Sequence, residues 1–395
     1  MKRPGKKSFV VLGVVVLLVI AGSTAQAGWL FVLAAGVAGL LGGSFLIPQR
    51  LASYEVKRST PPLAIAGHEA RVKLTVTNTG NRTLPLTRVE DRFPGLQPSA
   101  YVCERTPPGA TSTASLTTIA PRRGVFEGGE VQLEAGSPFG FVRARRVVQV
   151  PSKMLVVPRW VELSSFPILE PASSPNDVLH ERARTGAGEE YLGVRPYRPG
   201  DPQRFVHWRS SARAGSLVVR EYQEHVQTKV ALVLAGVDAG EPPDSAFEVL
   251  VSAAASIGNY ALATGHPIEI VMNGSEGVRR LVRPSRDGML RWLAEATPSA
   301  EPLGPLVAAA TGGAGKRGTV VLLVTSSGGP APEVPDAIAQ IQTAGARAAL
   351  VLADAPSWVG KKPDPAAPGV TRFRYERYRT RVLRKGEDLR TCLQR

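Results

Sequence analysis

Two uncharged apolar runs stand at the start of the chain, Ser8–Ala21 and Gly28–Ile47. With its small-residue flanks, each is about the 20 residues that a helix needs to cross a bilayer. The link between them, GSTAQA, carries no charge. Basic residues lie outside both runs: Lys2, Arg3, Lys6 and Lys7 before, Arg50, Lys57 and Arg58 after. The positive-inside rule turns this into a tight hairpin with both ends in the cytoplasm, and a two-pass anchor in the cell membrane. The alternative is a signal peptide, with KRPGKK as its basic region and Ala25–Ala27 as its cleavage site. Gly28–Ile47 would then still span the membrane, and the bulk of the chain would stay cytoplasmic. Glycines 36, 39, 42 and 43 could let another helix approach closely, although glycine is common in membrane helices anyway.

The remaining sequence is long enough for two or three domains, each with its own core: 395 residues in all, 43% hydrophobic, with a net charge of +15. Cys103 and Cys392 make no disulfide framework and fit a reducing compartment. The five histidines, at 68, 180, 207, 225 and 266, include no pair at helical spacing, which argues against a zinc site. No cofactor is expected.

Residues 51–160 read as a small antiparallel β-sandwich-like module. ARVKLTVTN (Ala70–Asn78) alternates apolar and polar residues at period two, and TSTASLTTI, GEVQLEA, VRARRVVQV and MLVVP continue the pattern between turn signals. Residues 161–227 read as a connecting segment, irregular over Phe166–Thr185, that carries a dense polar motif and then a strand, GSLVVREYQEHV. From residue 228 the pattern changes. KVALVLAG, PIEIVM, GTVVLLVTSS and RAALVLA are short apolar runs suited to buried parallel strands. They alternate with amphipathic helices, the first capped by Asp244 and closed by Gly265, and GVRRLVRP is a candidate for one more strand. Residues 228–395 are therefore expected to form a doubly wound α/β domain.

The motif is RPYRPGDPQRFVHWRSSAR, Arg195–Arg213. RPGDP is a turn, with Pro199 fixing φ and Gly200 supplying a permissive residue. Asp201 can accept from the turn backbone or from an arginine fork. Carboxylates flank the motif at Glu189, Glu190, Glu221 and Glu224. Trp208 can bury its ring as a plug. Three uses remain open: an internal staple of Arg–carboxylate pairs, a surface for an acidic partner segment, or an enzyme in which His207 works with Asp201 and Ser210 or Ser211. The last lacks a nucleophile elbow.

GEEYLGVRPYRPGDPQRFVHWRSSARAGSLVVREYQE closely resembles the signature of the domain of unknown function 58 (DUF58) family, at Gly188, Glu190, Arg195, Tyr197, Pro199, Gly200, Asp201, Arg204, His207, Trp208, Ala212, Arg213, Leu217, Val219 and Glu221. SPFGFVRARR (Ser137–Arg146), LVVPRWVEL (Leu155–Leu163) and YRTRVLRKGEDLRTCL at the end are similar as well. The resemblance implies a bacterial membrane protein with a von Willebrand factor A-like α/β domain. It also implies a non-enzymatic adaptor or assembly role beside a MoxR-type AAA+ ATPase and a transglutaminase-like membrane protein. Where such domains hold a divalent ion with Asp-x-Ser-x-Ser, this chain has Ala235, Val237 and Ala239, and Ser326–Ser327 stand where a further ligand Asp is expected, so no metal is expected.

Two further stretches are strongly charged. RFRYERYRTRVLRK (Arg372–Lys385) interleaves arginine with Phe373, Tyr375 and Tyr378, a pattern that could bind nucleic acid or anionic lipid. A solvated edge strand is the preferred reading, and nucleic acid is not expected as a partner. TGGAGKRG (Thr311–Gly318) lacks the order of a phosphate loop and precedes a strand.

Overall fold

The computed structural model describes residues 2–4, 6–46, 51–136, 141–169, 190–223, 229–274, 277–314, 318–326, 333–360 and 379–394. They form two compact units, Met1–Arg159 with Leu290–Glu295, and Trp160–Met289 with Ala296–Arg395.

The first unit begins with two apolar helices, α1 (Lys6–Thr24) and α2 (Gly28–Leu46). The window Lys7–Thr24 is long and apolar enough to cross a membrane, and α2 matches α1 in length without a single charge. The helices pack along each other, and a Cβ at Gly22 would meet Leu30 and Phe31 at 3.2 Å.

Strand β1 (Lys2–Pro4), ahead of α1, pairs with β9 (Val142–Val157). Between them in sequence lie β2 (Tyr54–Ser59), β3 (Leu63–Ile65), β4 (Glu69–Asn78), β5 (Thr87–Arg92), β6 (Ser99–Cys103), β7 (Thr111–Ile119) and β8 (Gly124–Gly136). One sheet runs β2-β4-β7 and the other β1-β9-β8-β5-β6, with β3 added beside β9. The period-two pattern of β4 turns Ala70, Val72, Leu74 and Val76 inward, where they share a core with Val89, Val131, Leu133, Met154 and Val156 of the other sheet. Burying each large side chain contributes roughly 1.5–3 kcal/mol.

A buried ion pair lies inside this core. Arg58, on β2, has a fully buried side chain, and its partner Asp91, on β5, is 3% exposed. The guanidinium donates through Nε to Asp91 Oδ1 at 3.0 Å and through Nη2 to the same oxygen. It also donates to the carbonyls of Val150 at 2.6 Å and Glu130 at 3.1 Å, and it lies over the Phe93 ring at 5.3 Å. Gly129 makes the room. It sits in the β8–β9 bulge at φ +105, and a Cβ there would meet Phe93 at 2.9 Å. Burial pushes the Asp91 carboxyl above its ordinary range, against the downward pull of Arg58. Sequence alone counts Arg58 among the basic residues that orient the anchor. The structure corrects this, because its charge is spent inside the sandwich.

The second unit has a two-stranded ribbon, β10 (Glu190–Pro196) with β11 (Val218–Gln223), and a six-stranded sheet. The sheet order is β14-β13-β12-β15-β16-β17, from β12 (Val230–Ala235), β13 (Ile268–Gly274), β14 (Gly277–Val282), β15 (Thr319–Ser326), β16 (Arg347–Asp354) and β17 (Arg379–Leu383). Only β14 is antiparallel to its neighbour. The described helices of this stretch are α3 (Trp208–Ala214), α4 (Ala246–Ala263), α5 (Arg286–Ala294), α6 (Leu303–Ala314), α7 (Glu333–Thr343), α8 (Ala355–Trp358) and α9 (Leu389–Gln394). Every residue of β12 is buried, as a central parallel strand requires. The helix α4 is apolar enough to pass for a membrane span, yet two-thirds of it is buried against the sheet, which makes it a core helix. Its cap is Ser245, whose Oγ accepts the Glu248 amide at 3.3 Å, and not the expected Asp244.

Candidate functional site

The ribbon, a one-turn 3-10 segment at Gln203–Phe205 and α3 form a small module around the motif. Arg195, on β10, forks onto Asp201 with Nη1–Oδ2 at 2.7 Å and Nη2–Oδ1 at 2.8 Å. Oδ2 also accepts the Arg198 amide at 2.9 Å, while Asp201 donates its own amide to the Arg198 carbonyl. Gly200, at φ +103, lets the chain reverse between them. The bidentate geometry locks the Pro199–Gly200 turn to the ribbon. The side chains remain 21% and 12% exposed, so solvent screens the pair in part.

After the turn the backbone returns to β11. The Tyr197 amide donates to Leu217, Val206 bridges Val219, and the His207 amide donates to Val218. Ser211 fastens α3 to the ribbon: its buried hydroxyl accepts the Val218 amide and donates to the His207 carbonyl, each at 3.0 Å. The His207 ring closes the first turn of α3 through Nδ1 to Ser210 Oγ at 2.6 Å.

The outer side of α3 is open. Trp208 is 68% exposed, and Arg209, Ala212 and Arg213 are exposed with it. The spacing places Trp208 over Ala212 and Arg209 over Arg213, one helical turn apart on one face. Arg204 is also exposed and lies over the Phe205 ring at 4.8 Å. These positions overturn the expectation of a tryptophan plug. Trp208 is mostly in water, and the arginine that pairs with a carboxylate to brace this module is Arg195.

Of the residues singled out from sequence, Arg195, Tyr197, Pro199, Gly200, Asp201, Arg204, His207, Trp208 and Arg213 all lie in this module. Glu190 and Glu221 lie on β10 and β11, at the open end of the ribbon, with Glu221 in register with Gly193; their side chains fall outside the described residues. So do Phe373, Tyr375 and Tyr378 of the basic run. Sequence reasoning missed Arg209 and the fastening role of Ser211, because the motif has no apolar period that would mark α3 as a helix and set its residues on faces. At the carboxyl end of β12, the Val237 amide donates to Thr325 Oγ1 at 2.9 Å. Among the described residues, no three His, Cys, Asp or Glu side chains cluster in a way that could hold a metal ion.

A family model described as protein of unknown function DUF58 matches residues 193–352. Residues 193–352 belong to the DUF58 family. The matched stretch runs from β10 through the motif to β16, so it joins the ribbon module and the parallel sheet in one family region. No curated protein matches the chain. Among solved structures, the CARDB domain of the PF1109 protein of Pyrococcus furiosus is similar at 12% identity, covering 26% of this chain and 91% of that one, with a TM-score of 0.20. A β-glucosidase of Listeria innocua is similar at 14% identity (26% and 16% covered, TM-score 0.16). β-Glucosidase 3B of Thermotoga neapolitana is similar at 16% identity (26% and 16% covered, TM-score 0.14). Likenesses this slight carry no argument about fold or activity.

Proposed function

We propose that this DUF58 protein is a membrane-anchored, non-enzymatic adaptor or assembly factor whose α3 face receives an acidic segment of a partner protein. The observation that carries this reading is the exposed Trp208 set beside Arg209 and Arg213. Tryptophan and arginine dominate the energetics of protein interfaces, and a large ring left in water on a rigid module is the usual form of such an anchor. The two guanidinium groups suit carboxylates, which they can bind through paired hydrogen bonds. The partner that the family resemblance suggests is a MoxR-type AAA+ ATPase, with a transglutaminase-like membrane protein as a further member of the assembly.

In this reading both units face the cytoplasm. The basic N-terminal flank supports that side, and the pairing of β1 with β9 ties the start of α1 to the same unit that follows α2. The parallel sheet is read as von Willebrand A-like, without its metal. The contact between His207 and Ser210 favours a second reading, a hydrolase-like enzyme centred on His207.

Co-purification of the tagged full chain from native membranes tests the first reading. An AAA+ ATPase should accompany the wild-type chain and be lost with Trp208→Ala plus Arg213→Ala in a protein of unchanged melting temperature. Recovery of the ATPase with both variants would overturn the assignment of this face. Loss of function in a stable His207→Gln chain that still holds its partner would favour the enzyme.

A further inference from the structure

A cavity of about 270 Å³ opens at the end of the sheet where β12 and β13 begin. Ala231, Glu269 and Val282 stand in register across β12, β13 and β14, and so point to one face and form its wall. Lys229, Arg280 and Arg283 complete the lining. Arg280 is committed to Glu269, with Nε on Oε1 and Nη2 on Oε2 at 3.0 Å. That fork neutralises one cation and the acid. Lys229 and Arg283 remain, and neither makes an ion pair among the described residues.

The backbone at Arg283 is unusual. Its φ is +48, in the left-handed region that non-glycine residues seldom occupy, and its amide is tied to the Ile268 carbonyl at 2.9 Å. Strain of this kind persists where the surroundings hold it, and it collects at ligand clamps. Here it keeps an arginine at the mouth of a cavity that Lys229 also lines.

We infer that this cavity is a binding site for a small phosphate monoester, held by Lys229 and Arg283. Such a group carries close to two negative charges at neutral pH, which matches the two cations that make no ion pair among the described residues. Arginine meets phosphate oxygens with paired donors, and lysine adds a point charge. Ala231, Pro267 and Val282 give an apolar wall for a short carbon body. The site is independent of the α3 face and of the adaptor reading. The ester could be a soluble metabolite or the headgroup of a phosphatidic acid-type lipid.

The test uses the full chain in phosphatidylcholine nanodiscs, with inorganic phosphate titrated at constant ionic strength against chloride. Phosphate should raise the melting temperature saturably, and calorimetry should give one site. Lys229→Gln and Arg283→Gln should each weaken binding about tenfold or more. Arg283→Gly, which keeps the left-handed backbone and removes only the guanidinium, should weaken it equally, whereas Arg209→Gln on α3 should leave it unchanged. Nanodiscs containing phosphatidic acid distinguish the sources: a lipid ligand abolishes the phosphate response there, and a soluble one does not. An absent or non-saturating response, or one equal in wild type and the Lys229 and Arg283 variants, overturns the site.

Discussion

Two of this protein's arginine–aspartate pairs, Arg58–Asp91 in the first unit and Arg195–Asp201 in the second, differ in what surrounds them. Arg58 and Asp91 join strands 33 positions apart, inside the sandwich core, with three carbonyls and an aromatic face around the guanidinium. Arg195 and Asp201 are six positions apart and brace a turn at the surface. The first pair is held by tertiary packing and must be complete, since a lone charge in that core would be severely destabilising. The second shapes a local platform that water still reaches. The same two residue types thus serve cohesion in one unit and presentation in the other.

The largest expected effect comes from breaking the inner pair on one side only. Arg58→Leu leaves Asp91 buried without a partner and should cost about 3–5 kcal/mol. Chemical denaturation followed by a probe in the β unit measures this. Replacing both, with Asp91→Leu added, should recover much of the loss, because hydrophobic residues of similar volume often replace a buried pair without penalty. If the single change costs less than 1 kcal/mol, the two pairs are equivalent and the comparison fails. Next in size is Gly129→Ala, which forces a Cβ onto Phe93 and Arg58 at a φ that disfavours it. A loss of about 1–3 kcal/mol is expected, and it should shrink in the Arg58→Leu background, where the crowded guanidinium is gone.

Sequence pattern exposed some of this and hid the rest for physical reasons. The strand β4 was readable because one face is buried and one is wet, so its composition alternates. The strand β12 was readable because both faces are buried, and α4 because its apolar periodicity is long. Strand β10 and helix α3 were not, since an arginine- and proline-rich stretch with one exposed face has no apolar period to detect. The burial of Arg58 was hidden because its partner is remote in sequence and nothing local distinguishes it from a flanking charge. Trp208 misled in the opposite direction: a tryptophan ordinarily signals a core, and only the path of α3 shows that this one faces out.

At the surface pair the expected effect is smaller. Asp201→Asn keeps the size and loses the charge-assisted fork, and partial exposure limits the loss to about 1 kcal/mol. The same change should weaken partner capture more than stability, because the turn that carries the chain into α3 loosens. A melting-temperature drop as large as that of Arg58→Leu would mean that the ribbon module is as deeply integrated as the sandwich core.

The smallest stability effect is expected at the residue whose type suggests the largest. Truncating a buried tryptophan costs about 3–5 kcal/mol, so Trp208→Ala would be severe if the ring were a plug. With 68% of the residue in water, there is little buried area to lose, and surface changes of this kind fall within about 0.5 kcal/mol. The Trp208→Ala chain should therefore melt with the wild type while its partner capture collapses, since an interface anchor contributes only in the complex. Unfolding and pull-down on the same preparation separate the possibilities. A large stability loss would place the ring in a contact that buries it. Unchanged stability with unchanged capture would leave the α3 face without a role and move the search for the partner surface to the exposed side of the ribbon.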